Sequence, residues 1–290
     1  MRYRIVHNTT YRYSEPASLS QNELILRPRE TAAQKVGSSR LEIRPKPEIV
    51  NDRSDYFGNP VQGFMIQHPH TELSMIATSQ VDTFSPTVPA AESTPAWESV
   101  ARQLTVHDLP EELEAYQFVF ASPLTTTGAA VKEFVQPFFP PRRPILEGAV
   151  DLMGRIFSEF TYDKNATTVE TGVDQVLRNR KGVCQDFAHV MISGLRSLGL
   201  AARYVSGYLE TLPPPGKPKL VGADASHAWL SLYVPQTGWV DLDPTNNQIP
   251  GERHITLAWG RDYGDVTPVK GVVMGGGEHA LSVTVDVSVR

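Results

Sequence analysis

The chain carries one cysteine, Cys184, in the run Lys181-Gly182-Val183-Cys184-Gln185-Asp186-Phe187-Ala188-His189. From Cys184 onward, apolar residues fall at 184, 187, 188, 191, 195 and 198, which is one stripe of a helix ending at Gly199. Cys184 therefore belongs in the first helical turn, with Gly182 allowing close backbone approach just before it. Free backbone N–H groups and the helix dipole favour a thiolate there. The same groups, the N–H of Cys184 among them, are placed to receive an oxyanion. By itself such a cysteine reads as a small buried apolar residue; to act as a nucleophile it needs a base.

His227 is the best placed of the eight histidines. It opens an alternating strand, 227–234, with Trp229, Ser231 and Tyr233 on its side. The turn Pro235-Gln236-Thr237-Gly238 leads into Trp239-Val240-Asp241-Leu242-Asp243-Pro244. With an odd hairpin loop, or a bulge at Gly238, odd-numbered residues of both strands share a face. Asp241 and Asp243 both then qualify as the acid that orients the imidazole, and Asp243, at the strand end before Pro244, lies nearer the start of the first strand. A Cys–His–Asp set of this kind supports acyl transfer through a thioester.

Other residues weigh less. His189, five positions along the helix from Cys184, points away from it and suits packing. Asp186 fits a helix-end charge or a contact to a substrate amine. Tyr162, Trp229 and Trp239 are possible walls of a substrate cleft, with the core as the simpler role for both tryptophans. His68-Pro69-His70 lacks a third ligand, so no metal site is expected there. The segment 213–224 is a candidate lid.

The elements that must position these residues are as follows. Short strands at 3–13, 22–27, 39–44, 60–67 and 72–84 predict an all-β, sandwich-like module over 1–90. Residues 85–110, rich in Pro, Ser, Thr and Glu, read as a connection, and helical spacing begins at Glu111; together, 91–144 form a linker and helical connection. A catalytic-type unit over 145–290 opens with helices at 145–160, 174–179 and 184–198. Strands follow at 202–209, 227–234, 239–243 and 280–290, giving an α+β fold.

Composition narrows the function classes. Lys and Arg total 27 against 32 Asp and Glu, for a net charge of -5, with no basic cluster to suit nucleic acid. One cysteine excludes an internal disulfide framework and a cysteine-based zinc cage. The first residues lack an apolar signal core and no run of about 18 apolar residues occurs, so the expectation is a cytoplasmic protein with no membrane partner.

GVCQDFAHVMISGLRSLGLAARYVSGYLE and SHAWLSLYVPQTGWVDLDPTNN together resemble the transglutaminase-like core of bacterial cysteine proteases over about 145–260. MRYRIVHNTTYRYSEPASLSQNELILRPR resembles the β-rich region preceding that core. The resemblance implies a papain-like catalytic arrangement with Cys184 as nucleophile, His227 as general base and acid, and Asp243 as orienting residue. Animal-type transglutaminases, similar around Thr171-Gly172-Val173-Asp174, carry an oxyanion-stabilising tryptophan just upstream. Here Glu170 and Thr171 stand there, and the nearest upstream aromatic is Tyr162, so the second oxyanion donor is unassigned. The expectation is a peptidase or amidase acting on a peptide or protein, with cross-linking of glutamine to amines as the alternative and a non-catalytic scaffold as the alternative of another class. No metal or organic cofactor is expected, and no calcium loop is present in the sequence.

Overall fold

A computed structural model of the chain describes residues 1–211 and 226–290, so the lid candidate at 213–224 lies outside the described residues. The chain starts with β1 (Arg2–Leu24), β2 (Gln34–Arg44), β3 (Ile49–Ser54), β4 (Pro60–Ile66) and β5 (His70–Thr83). Four helices follow, α1 (Trp97–Val106), α2 (Pro110–Tyr116), α3 (Ala129–Val135) and α4 (Ile145–Glu159). Next come β6 (Thr161–Tyr162), α5 (Val173–Asn179), β7 (Lys181–Gly182) and α6 (Cys184–Ser197). The chain ends with β8 (Ala202–Leu209), β9 (Ser226–Val234), β10 (Gly238–Leu242), β11 (His254–Gly260), β12 (Val269–Gly275) and β13 (His279–Val289).

β1 is the spine of a seven-stranded antiparallel sheet. Its alternation buries Tyr3, Ile5, His7 and Thr9 on one face, as a half-buried strand requires. Between the expected strands 3–13 and 22–27 the chain does not turn; Ser14-Glu15-Pro16 forms an irregularity within β1, where the pairing with β5 jumps from Arg12 to Ala17. The first half of β1 lies between β5 and β13, and the second half pairs with β4 and β12. Residues 269–289, grouped in the sequence reading with the catalytic unit, thus hydrogen-bond to the N-terminal strand.

The second sheet is antiparallel, in the order β10-β9-β8-β11. β8 is buried along nearly its whole length, and α6 packs against β8 and β9. One apolar core runs through α4, α6 and this sheet and reaches Tyr3, Ile5, Val285 and Val287 of the larger sheet. A smaller cluster around Leu24, Phe64, Ile66, Leu73 and Met75 stabilises the larger sheet separately.

The helix over 145–160 appears as α4, with Ile145, Ala149, Leu152, Met153 and Ile156 buried. α1 was not foreseen. Its amphipathic pair Val100 and Leu104 is buried, and its polar neighbours resemble a connection in composition.

Candidate active site

α6 starts at Cys184, which is half-buried. Asp186 fixes that start: its Oδ2 accepts the N–H of Val183 at 2.7 Å and the hydroxyl of Thr167 at 2.7 Å. The glycine at 182 follows from this cap, because a Cβ there would come within 2.6 Å of the same oxygen. Asp186 is almost fully buried, so it is a capping residue that ties down the 167 loop and not a contact open to a substrate amine.

His227 opens the described part of β9 next to Ser226, opposite Gly207 of β8. Gly207 is required there: a Cβ would strike the Ile255 carbonyl at 2.2 Å and the Trp229 ring at 2.5 Å. The β9–β10 loop holds three residues between the paired Val234 and Gly238, with positive φ at Gln236 (66°) and Gly238 (89°). Odd residues therefore face one another, Trp239 with Tyr233 and Asp241 with Ser231.

Parity brings both acids to the same side, and the next hydrogen bonds separate their roles. Asp241 accepts from Trp229 Nε1 at 3.0 Å and from the Ser231 hydroxyl. Asp243 Oδ2 accepts from His227 Nε2 at 2.8 Å. Its Oδ1 accepts the N–H groups of Thr245 at 3.0 Å and Asn246 at 3.2 Å, a turn that holds the carboxylate in place. Asn246 Nδ2 adds a bond of 2.8 Å to Oδ2.

Asn246 Nδ2 also reaches the ring, 3.3 Å from His227 Nε2, and Cys184 acts on it electrostatically. Burial disfavours the charged ring, but Asp243 and Cys184 outweigh it and raise the His227 pKa to about 10. Burial likewise opposes the charge of Asp243, and the bonds from His227 and His254 reverse this, holding its carboxyl well below the usual range. The arrangement favours imidazolium beside carboxylate.

His254 escaped the sequence reading. It starts β11 and donates from Nε2 to Asp243 Oδ2 at 3.1 Å. The signal was present in the alternating His254-Ile255-Thr256-Leu257, but only pairing with β8, His254 opposite Leu209, brings this ring to the acid. The ligand atoms of His227, Asp243 and His254 lie within 4.8 Å of one another, a spacing that could hold a metal ion. The N···O separations of 2.8 and 3.1 Å are those of hydrogen bonds to one shared oxygen, and a divalent ion would need both Nε2 atoms free of protons.

The cleft candidates divide. Tyr162 is half-exposed and pairs with Gly182, two residues before Cys184, and its pKa is raised by partial burial and then by the charges of Cys184 and Asp186. Trp229 is fully buried and meets the His227 and His254 rings at 5.9 and 5.2 Å, so it supports the imidazoles from behind and does not line an open cleft. Trp239 stacks on Arg203, at 4.1 Å, away from the thiol. His189 is buried against Tyr204 and accepts the Tyr263 N–H at 3.2 Å, a packing role. His70 is held by Ser20 and the His68 carbonyl, and His68 pairs with Glu48.

Comparison with known proteins places this geometry. Residues 3–82 match the bacterial transglutaminase-like N-terminal region, and residues 132–244 match the transglutaminase-like superfamily. The chain belongs to the transglutaminase-like superfamily. Cys184, His227 and Asp243 all lie within the matched core, whereas His254 lies beyond it. An uncharacterized protein of Mycobacterium tuberculosis is 42% identical over 294 residues, covering 99% of this chain and 92% of its own. A protein-glutamine gamma-glutamyltransferase of Pseudomonas aeruginosa is 34% identical over 107 residues, 34% of this chain and 16% of that one. A solved structure of a candidate cysteine protease from Cytophaga hutchinsonii shares the fold, with a TM-score of 0.76 at 22% identity over 99% of this chain and 90% of that one. The α+β transglutaminase-like core behind a β-rich N-terminal region is thus established. Among the described residues no helix is long and apolar enough to cross a membrane.

Proposed function

We propose that this transglutaminase-like protein is a cysteine-nucleophile acyl-transfer enzyme acting on amide bonds of a peptide or protein, with water as the usual acceptor. The observation that carries the reading is the held imidazole: Asp243 on Nε2 at 2.8 Å, with a pKa raised to about 10 by Asp243 and Cys184 against the effect of burial. The Cys184 thiolate attacks the carbonyl carbon, and the oxyanion is met by the Cys184 N–H at the helix start. His227 gives a proton to the departing amine, the C–N bond breaks and a thioester remains. His227 then takes a proton from water as the hydroxide attacks, and the acid leaves with Cys184 restored. Asp243 keeps the ring oriented and offsets its charge throughout. Tyr162, whose strand pairs with Gly182 just before Cys184, is a candidate for the second oxyanion donor.

A second reading, amine transfer, is favoured by the likeness to the Pseudomonas aeruginosa glutamyltransferase. One assay separates the two. Casein is incubated with the protein and a fluorescent primary amine, and new peptide termini and amine-labelled casein are both measured. Hydrolysis predicts new termini with little label, and transfer predicts the reverse. Activity of either kind that survives Cys184→Ala defeats the proposal.

A further inference from the structure

On the small sheet, beyond Asp241, lies a cavity of about 660 Å³ between β8, β10 and β11 and the segments 31–34, 84–88 and 249–251. Its floor holds one cation. Arg203 is 9% exposed, and its guanidinium carbon sits 3.7 Å from the Trp259 ring centre and 4.1 Å from that of Trp239. The two indoles pack against the guanidinium, and no described side chain hydrogen-bonds to it. Its Nε is buried without a hydrogen-bond partner, and it forms no ion pair with another described residue. Arg29 lies against Trp259 as well, at 3.1 Å, and adds positive charge.

A buried guanidinium with an unmet donor is costly unless a partner arrives. Asp241 shares the cavity, but its two oxygens are engaged by Trp229 and Ser231. Glu114 stands at an exposed position, where solvent screens it. Phe84, Val88, Val205 and Ile249 supply the apolar part of walls that also carry Thr31, Gln34, Ser85 and Thr87.

We infer that this cavity binds a monocarboxylate with an apolar body, its carboxylate lying in the plane of the Arg203 guanidinium. A planar carboxylate matches the guanidinium fork and accepts two parallel N–H bonds. Among the described residues Arg203 is the one Lys or Arg lining the cavity, and with Asp241 close by it suits one negative charge better than two. Cys184 is not part of its lining, although His254, which bonds Asp243, is, and the inference does not rest on the acyl-transfer reading.

The test uses the full chain and three probes in calorimetric titration: 3-phenylpropanoate, its neutral amide 3-phenylpropanamide, and inorganic phosphate. The carboxylate is expected to bind saturably in the millimolar range or tighter, at least about tenfold better than the amide. Phosphate is expected to bind more weakly than the carboxylate. Binding should persist in His227→Gln and be lost in Arg203→Met. The inference is overturned by equal binding of acid and amide, by phosphate binding as well as the carboxylate, or by no saturation. Loss in His227→Gln with retention in Arg203→Met would overturn it too. If Arg203→Met does not fold, the acid–amide contrast on the unaltered protein decides alone.

Discussion

Two buried charges sit on the same four-stranded sheet and are treated in opposite ways. Asp243, 0% exposed, is met by two imidazoles, an amide side chain and two backbone N–H groups. Arg203, 9% exposed, has two indoles for company and a donor with no acceptor. A charge with a complete set of partners is fixed in place and can in turn fix what it touches. A charge left incomplete keeps its binding capacity for something that arrives later. The difference separates a positioning device from a receptive one, although both lie within a short stretch of β8–β11.

The largest test of this contrast is Asp243→Asn. The amide keeps the shape of the carboxylate but removes the charge that supports the imidazolium and presents donors to two rings. Turnover should fall by about 10²–10⁴-fold, with a clear drop in melting temperature. A variant with near-normal turnover would mean that Asp243 is a structural group only. His254→Gln comes next. It removes one donor of several, so kcat should fall about tenfold with KM little changed, and the pH profile of kcat should shift because the charge on Asp243 is less well held. An unchanged profile would show that the second imidazole does nothing for the first.

Stability against pH offers a third test. The pKa of His227 is raised in the fold, so its stabilising contribution is complete below 6.5 and disappears as pH rises toward about 10. That of Asp243 is depressed, so its contribution is present above the ordinary carboxylate range and disappears in stronger acid. Thermal melts should therefore decline from about pH 6.5 to about pH 10, and His227→Gln should flatten that slope. An identical slope in the variant would refute the ion pair. The smallest effect is expected for Arg203→Met, which replaces an incompletely bonded cation with an apolar chain. Stability should change by no more than about 1 kcal/mol by denaturant titration, and a loss of several would show that the arginine is structurally satisfied after all.

Much of the site was legible because local rules place it. The apolar stripe from Cys184 marks a helix start, and the Pro235–Gly238 turn fixes hairpin parity, so Asp241 and Asp243 both fall on the odd side, with His227. Choosing between the acids needed structure: Asp241 is occupied by Trp229 and Ser231, and Asp243 reaches His227. His254 and the Arg203 stack were illegible for one shared reason. Both depend on β11, which joins β8 from almost fifty residues away in sequence, and no local spacing announces that pairing. The same holds for β12 and β13, whose alternation was visible in part while their partner, β1, was not. Asp186 was read as a helix-end charge, which its cap on Val183 bears out, whereas its burial could be seen only once Thr167 closed over it.

The central claim is that Cys184 and His227 form an ion pair held by Asp243. The most direct measurement is the pH dependence of Cys184 alkylation by iodoacetamide, followed by intact mass, in the unaltered protein and in His227→Ala. With a single cysteine in the chain, each added mass reports one site. The account predicts rapid alkylation at neutral pH in the unaltered protein and markedly slower alkylation in the variant. A thiol that is inert across the range in the folded protein, or that reacts at the same rate in both proteins, would contradict it.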